Sequence, residues 1–500
     1  MKKITNYVFG WLGMMLLVAS CTGPSDISVE RETVDLAFPI FKSSTTMSDL
    51  IDEGQDSTAL VVYSDNRMGL VYESEFQVDV PMPEMEDFEI DLQSPITEIP
   101  NLPLAGVQVE QSKFEAGSLV FTFANTQYAE NVKVVLRINQ LSKNGNIFSK
   151  TINLDYAGSL PVNKSFSVNL ADYGMNVATS PLKVEYQASL SDGTMANIDE
   201  AKMKMQDVDF AWLEGQWTKK TMPLDIPDQE IGFFEHYTNS GSIVFTNPKL
   251  KIIAQNSVGV GSQMVFNAIN VETLSSGIVP LSGAFFDNGF SLAYPNMGQM
   301  GTSLTSKKDL TKENSNIVEI FNAQAKQIHF DADYVISPLG TDKGFIANDS
   351  KVNLNMQVEL PFEGKVNEYK VAKEFDVKFT NEHVKAAYLK LQAINQIPLD
   401  ARIQMYFLDN ADVVLDSLVA SNGMLAIEAA ETDGLGNVTR TQEWQEEVKI
   451  NAEKWARIKG AQSVRLVTSF TSSFSAQVPV SIKSNQNVQL NAGLKLVVLP

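Results

Sequence analysis

From residue 104 onward the chain repeats one short pattern, apolar residues at every second position followed by a polar or glycine-bearing turn. Val132, Val134, Leu136 and Ile138 alternate with Lys133, Val135, Arg137 and Asn139. Successive side chains of an extended strand point to opposite faces, so this period buries one face and wets the other. Asn144-Gly145 then supplies the residues that a type I′ hairpin turn demands. Comparable runs cover 165–170, 182–188, 249–254, 263–268, 328–336, 352–360, 373–380, 388–393, 403–408, 463–470 and 488–498. Helical periodicity is scarce, and its best instance is 451–459, with Asn451 as cap and Glu453 in the first turn. The pattern predicts a mainly β protein, built of tandem antiparallel β-sandwich-like modules with few short helices.

Three of these segments share more than alternation. Leu119, Phe121, Phe123 and Asn125 match Leu250, Ile252, Ala254 and Asn256, and again Leu389, Leu391, Ala393 and Asn395. Gln263, Met264 and Phe266 likewise match Gln404, Met405 and Phe407. The asparagines recur at the spacing of one small β-sandwich, and an Asn side chain can bond its own backbone where a chain turns. The expected modules are 104–225, 226–365 and 366–500. The strand–Asn–turn–strand pattern is similar to the late-embryogenesis-abundant type 2 (water-stress-hypersensitive) β-sandwich. That family's following proline is here Thr126, Ser257 and Gln396. With the hairpin at 404–417, the chain resembles Bacteroidetes-type multi-module envelope lipoproteins. Neither resemblance brings a catalytic residue with it.

The N-terminus has Lys2 and Lys3, an uncharged run over 7–18, and then Val18, Ala19, Ser20 and Cys21, the only cysteine. The run is shorter than the roughly 20 residues that span a bilayer and fits a cleaved secretory segment over 1–20. This arrangement resembles a bacterial lipoprotein signal with its lipobox. The resemblance implies that Cys21 is acylated, palmitate among its chains, and becomes the mature N-terminus on the cell envelope, at the outer membrane. More than one acyl chain makes such anchoring stable. A lone cysteine allows no intramolecular disulfide. The chain closes on Pro500, not on the terminal aromatic of an outer-membrane barrel.

Residues 21–80 read as a tether and small β unit, with a hairpin turn at Ser64, Asp65, Asn66 and Arg67 and with Thr46 to Asp49 capping a single helical turn through Ile51. Over 81–103, five prolines (Pro81, Pro83, Pro95, Pro100, Pro103) stand among Glu84, Glu86, Asp87, Glu89 and Asp91. Proline stiffens and like charges extend such a stretch, so it reads as a linker, with an edge-hugging connection as the alternative.

The formal net charge is −21, and losing Lys2 and Lys3 makes it more negative, which argues against nucleic acid as a partner. His236, His329 and His383 are scattered, without partners at metal-ligand spacing. Gly259 and Gly261 lead into a strand and read as a turn needing positive φ, not a phosphate loop. The acidic runs Asp409 to Asp412 and Asp331 to Asp333 lack the bidentate Glu of a calcium loop and read as solvated turns. Trp212, Trp217, Trp444 and Trp455 read as core or junction packing, with sugar stacking as the alternative. Asp56-Ser57-Thr58 and Asp416-Ser417-Leu418 resemble O-glycosylation sites of exported proteins in that bacterial group. No catalytic, metal or cofactor site is expected. The expected function is non-catalytic binding or scaffolding by a lipid-anchored envelope protein. The alternatives are a surface glycan-binding lipoprotein and a lipid-transfer protein with an apolar channel between its sheets.

Overall fold

The computed structural model describes residues 34–46, 60–99, 101–234, 241–379, 384–419, 423–433, 437–472 and 479–498. Cys21, Asp49, the run at 56–58, His236 and His383 lie outside the described residues. The chain forms antiparallel sheets arranged as three sandwiches with one shared strand order.

In the middle sandwich, one sheet runs Met68–Asp79, Lys351–Pro361, Lys249–Asn256, Leu304–Leu310. In the C-terminal sandwich, Val34–Thr46, Asn487–Val498, Val384–Asn395 and Gln442–Ile450 follow in the same order. In the first, the strands are Phe88–Asp91, Glu200–Trp217, Val107–Thr126 and Val162–Asn169. Each time an N-terminal segment pairs with the module's last strand, which pairs with its first, which pairs with a middle one. The second layers agree as well, although in the first sandwich Gly174–Asn176 joins the two layers into one ten-stranded sheet. Their two central strands are Val132–Lys143 with Leu182–Ser189, Ser262–Thr273 with Ala325–Ile336, and Leu399–Leu408 with Ser463–Ser472. The sequence repeat is therefore a repeat of topology.

Residues 34–46 and 60–99 form a strap that gives each sandwich a strand beside its last one, in the order C-terminal, middle, first. This corrects the expectation of a separate β unit over 21–80 and of a linker over 81–103. The strands Phe88–Asp91 and Ile96–Ile99 pair with Glu200–Trp217 and Leu182–Ser189. Two of the acids that suggested an extended spacer meet cations instead, Glu89 with Lys202 at 3.5 Å and Asp87 with Lys204 at 3.2 Å. The prolines flank these short strands, as edge strands tolerate. The boundary expected after residue 225 also moves, because Lys220–Leu224 pairs with Ala325–Ile336 in the middle sandwich.

Sheets cross both joints. The later half of Glu200–Trp217 pairs with Asp342–Ala347, so the first sandwich's sheet continues into the second. Glu363–Asn367 pairs with Ser242–Phe245 on one side and Val480–Ser481 on the other. The interiors are filled by side chains such as Phe114, Phe121, Phe123, Phe345, Phe407 and Phe470, all fully buried. At ~25 cal/mol per Å² of apolar surface, each such ring contributes about 2–3 kcal/mol.

Candidate binding faces

The repeated asparagines show how local sequence shapes each module. Asn256 and Asn395 are both 0% exposed. Each accepts from the backbone N–H two residues on, Val258 and Ile397, at 2.9 Å. Their amide nitrogens donate to Ala293 O at 3.0 Å, and to Leu399 O and Glu428 O at 2.8 and 2.9 Å. Asn125 departs from this. A bulge between Phe123 and Thr126 flips it outward at φ 55°, where it donates to Glu200, and Thr126 takes the buried place.

Gly259 and Gly261 do not have positive φ, contrary to the turn reading. Gly259 exchanges both backbone hydrogen bonds with Phe345, whose ring would lie 2.0 Å from an added Cβ. Close approach of a neighbour, not turn geometry, requires glycine there. Asp409 does close a turn, accepting from the N–H groups of Ala411 and Val413 at 2.8 and 3.0 Å. Asp331 and Asp333 lie within a strand, not a turn, and both accept from the Asn267 amide. His329 Nδ1 lies 2.8 Å from Asp228 Oδ1. Among the described residues no group of three or more His, Cys, Asp or Glu could hold a metal ion.

Trp217 is buried at the joint of the first two sandwiches, its indole N–H donating to Gly344 O at 2.9 Å. Trp455 is buried against Phe379, and Trp212 and Trp444 are half-buried. Asp416 is held below the usual carboxylate range. Burial opposes that shift, but the Arg457 guanidinium at 2.7 Å and the Ser417 N–H outweigh it. The Ser417 hydroxyl donates to Val419 O, and Leu418 is buried, so this glycosylation-like run is engaged within the fold.

Sequence reasoning missed the outer faces of the strap-bearing sheets. Residues opposite each other in register share a face. In the middle sandwich Gln77, Asn353 and Gln255 share one row, and Glu75, Asn355 and Ile253 the next. A depression of about 510 Å³ lies over them. In the C-terminal sandwich Lys42, Asn491 and Gln392 form a row beside a depression of about 670 Å³. Their polar alternation was visible, but nothing in the sequence indicated which strands would lie side by side.

No family model and no curated protein matches the chain. Among solved structures, one described as a secreted protein from Parabacteroides distasonis ATCC 8503 is 14% identical. It covers 58% of this chain and 90% of its own, with a TM-score of 0.32. Infectious bursal disease virus, Gx strain, gives 9% identity over 87% of this chain and 80% of its own, at TM-score 0.15. An insecticidal delta-endotoxin from Bacillus thuringiensis gives 8% over 84% and 60%, at 0.14. At such TM-scores these likenesses carry no argument about what the protein does.

Proposed function

We propose that this chain is a lipid-anchored cell-envelope protein, held by acyl chains on Cys21 at the outer membrane, whose three sandwiches act as a non-catalytic binding or scaffolding body. The observation that carries the reading is the strap. The residues nearest Cys21 give a strand to every sandwich, so a pull on the anchor loads the whole body and not one flexible joint. Val34 pairs with Val498, while Thr46 pairs with Asn487, close to where Lys483 and Ser484 meet the strap hairpin of the middle sandwich. Among the described residues no helix is long and apolar enough to cross a membrane.

Radiolabelled palmitate tests the anchor. Label is expected on the wild type and absent from Cys21→Ala; an unlabelled wild type overturns the reading. Crosslinking in intact cells would then capture the partners of the first sandwich.

A further inference from the structure

We infer that the first sandwich takes an extended, uncharged, apolar peptide segment of a partner protein, added as a strand along the uncovered start of Val107–Thr126. This rests on the reading of the body as a binding module and is independent of the anchor.

Val107–Thr126 pairs along one side with Glu200–Trp217. Its other side is covered by Val162–Asn169 and by Gly174–Asn176, which reaches Gln111 to Lys113. Val177 N still donates to Glu110 O at 2.8 Å, and there the cover stops. The Asn176 side chain accepts from Ala178 N at 3.2 Å, a turn that peels the chain away. Thr218 N donates to Gly106 O at 2.9 Å, so Gly106 and Gln108 aim their backbone groups at Glu200–Trp217. By the alternation of an antiparallel ladder, Val107 and Val109 aim theirs the other way. Among the described residues no backbone hydrogen bond meets them there.

A cleft of about 650 Å³ lies against this edge, within the range of ligand clefts. Leu102, Leu104, Val177 and Leu182 line it together with Val107 and Val109. None of its lining residues is charged, although 20% of the chain is. Paired donors and acceptors at the two-residue repeat of a strand are reciprocated by another extended backbone, and not by a lipid tail. The walls select an uncharged segment, since a charge entering them would find no partner.

Other edges of the molecule are guarded against such addition. Leu304–Leu310 carries Lys307, Lys308 and Asp309, and Gln442–Ile450 carries Glu443, Glu446 and Glu447. Charges of this kind keep an added strand off an edge, and Val107 to Val109 have none. The feature belongs to this module alone, because Val107–Thr126 starts farther before its asparagine than Lys249–Asn256 or Val384–Asn395 does.

The test pans the full chain, held in phospholipid nanodiscs, against a phage library of random peptides, then titrates the best synthetic peptide by calorimetry. Sequences with alternating apolar residues are expected. Methylating single backbone nitrogens of that peptide should weaken binding about tenfold at every second position, the loss of roughly one hydrogen bond, and have no effect between them. Val109→Pro removes one edge N–H and Leu104→Asp charges the wall, so each should weaken binding about tenfold or more, whereas Lys307→Ala should bind as wild type. Thermal melts verify that the variants fold, and the methylated peptides probe the pairing without altering the protein. An unenriched library, selection of charged peptides, or binding indifferent to methylation overturns the assignment. So does self-association of the chain that Val109→Pro abolishes while no peptide is enriched, which would give the edge to a second copy. Crosslinking in cells and palmitate labelling of Cys21 read the binding body and the anchor separately, so a blank library leaves both standing.

Discussion

Phe41 lies face to face with Phe375, ring centroids 4.4 Å apart and planes 6° from parallel. Phe41 belongs to the strap strand at the edge of one sheet, and Phe375 to Tyr369–Asp376 at the edge of the other. The pair closes the C-terminal sandwich along one side and fastens to it the strand nearest Cys21. Phe41→Ala should cost about 2 kcal/mol, below the 3–5 of a fully buried ring because Phe41 is half-buried, and Phe41→Leu about half that. The urea midpoint reads it. An unchanged midpoint would mean that the strap strand contributes no closure there.

The asparagines give a second expectation, in which sequence similarity and structural role part company. Asn256→Ala and Asn395→Ala each leave a buried backbone N–H and at least one carbonyl unpaired, and should cost about 2–3 kcal/mol. Asn125→Ala removes only half-exposed bonds and should cost under about 1 kcal/mol. Equal losses at all three positions would contradict the bulge that turns Asn125 outward.

Most strands were legible because each is a local pattern. The runs at 182–188, 249–254, 352–360 and 488–498 appear as Leu182–Ser189, Lys249–Asn256, Lys351–Pro361 and Asn487–Val498. The helix Ala452–Ile458 starts where Asn451 caps it, accepting from Lys454 N at 2.8 Å. Asn144 and Gly145 both take positive φ, as their turn demands. The strap was not legible. Pairing Val34 with Val498 leaves no local trace, and Pro39 sits at an edge bulge, where its missing N–H costs nothing. The acids at 87–91 misled for a related reason, since their lysine partners lie over a hundred residues away. The outer-face amides were hidden likewise, since a row across strands exists only once register is known.

Gly259→Ala places a methyl group 2.0 Å from the Phe345 ring, inside a pair that exchanges backbone hydrogen bonds. Phe345 is 1% exposed and has nowhere to swing freely. The variant should lose about 1–3 kcal/mol, and combining it with Phe345→Leu should recover part of that loss. A double-mutant cycle on thermal unfolding checks this, and purely additive losses would count against a direct clash.

Trp217→Phe keeps most of the apolar contact at the first joint but removes the N–H that satisfies Gly344 O. Gly344 is half-buried, so losing this hydrogen bond costs about 1 kcal/mol, and here the cost falls between sandwiches. Native-state hydrogen exchange should show faster opening of Asp342–Ala347, while Gln442–Ile450 in the C-terminal sandwich stays protected. Uniform acceleration across the chain would mean that the joint does not open on its own.

Tyr63 sets an alkaline limit at the strap hairpin. Burial, then the nearby Glu359 carboxylate, push its phenol from 10.0 up to about 12, with Arg67 opposing from above the ring at 5.7 Å. The unfolded chain loses this proton near pH 10, whereas the folded one keeps it to about 12. The folded state therefore binds more protons in that window, and the stability this group contributes is complete below pH 10 and lost as pH rises towards 12. Burial raises Tyr186 and Tyr334 as well, so Tyr63 shares the wild-type decline with them. Tyr63→Phe should flatten part of it, which urea midpoints at pH 8 and pH 11 would register as a smaller alkaline drop in the variant. If the variant and the wild type fall by the same amount, the Tyr63 phenol does not set this limit.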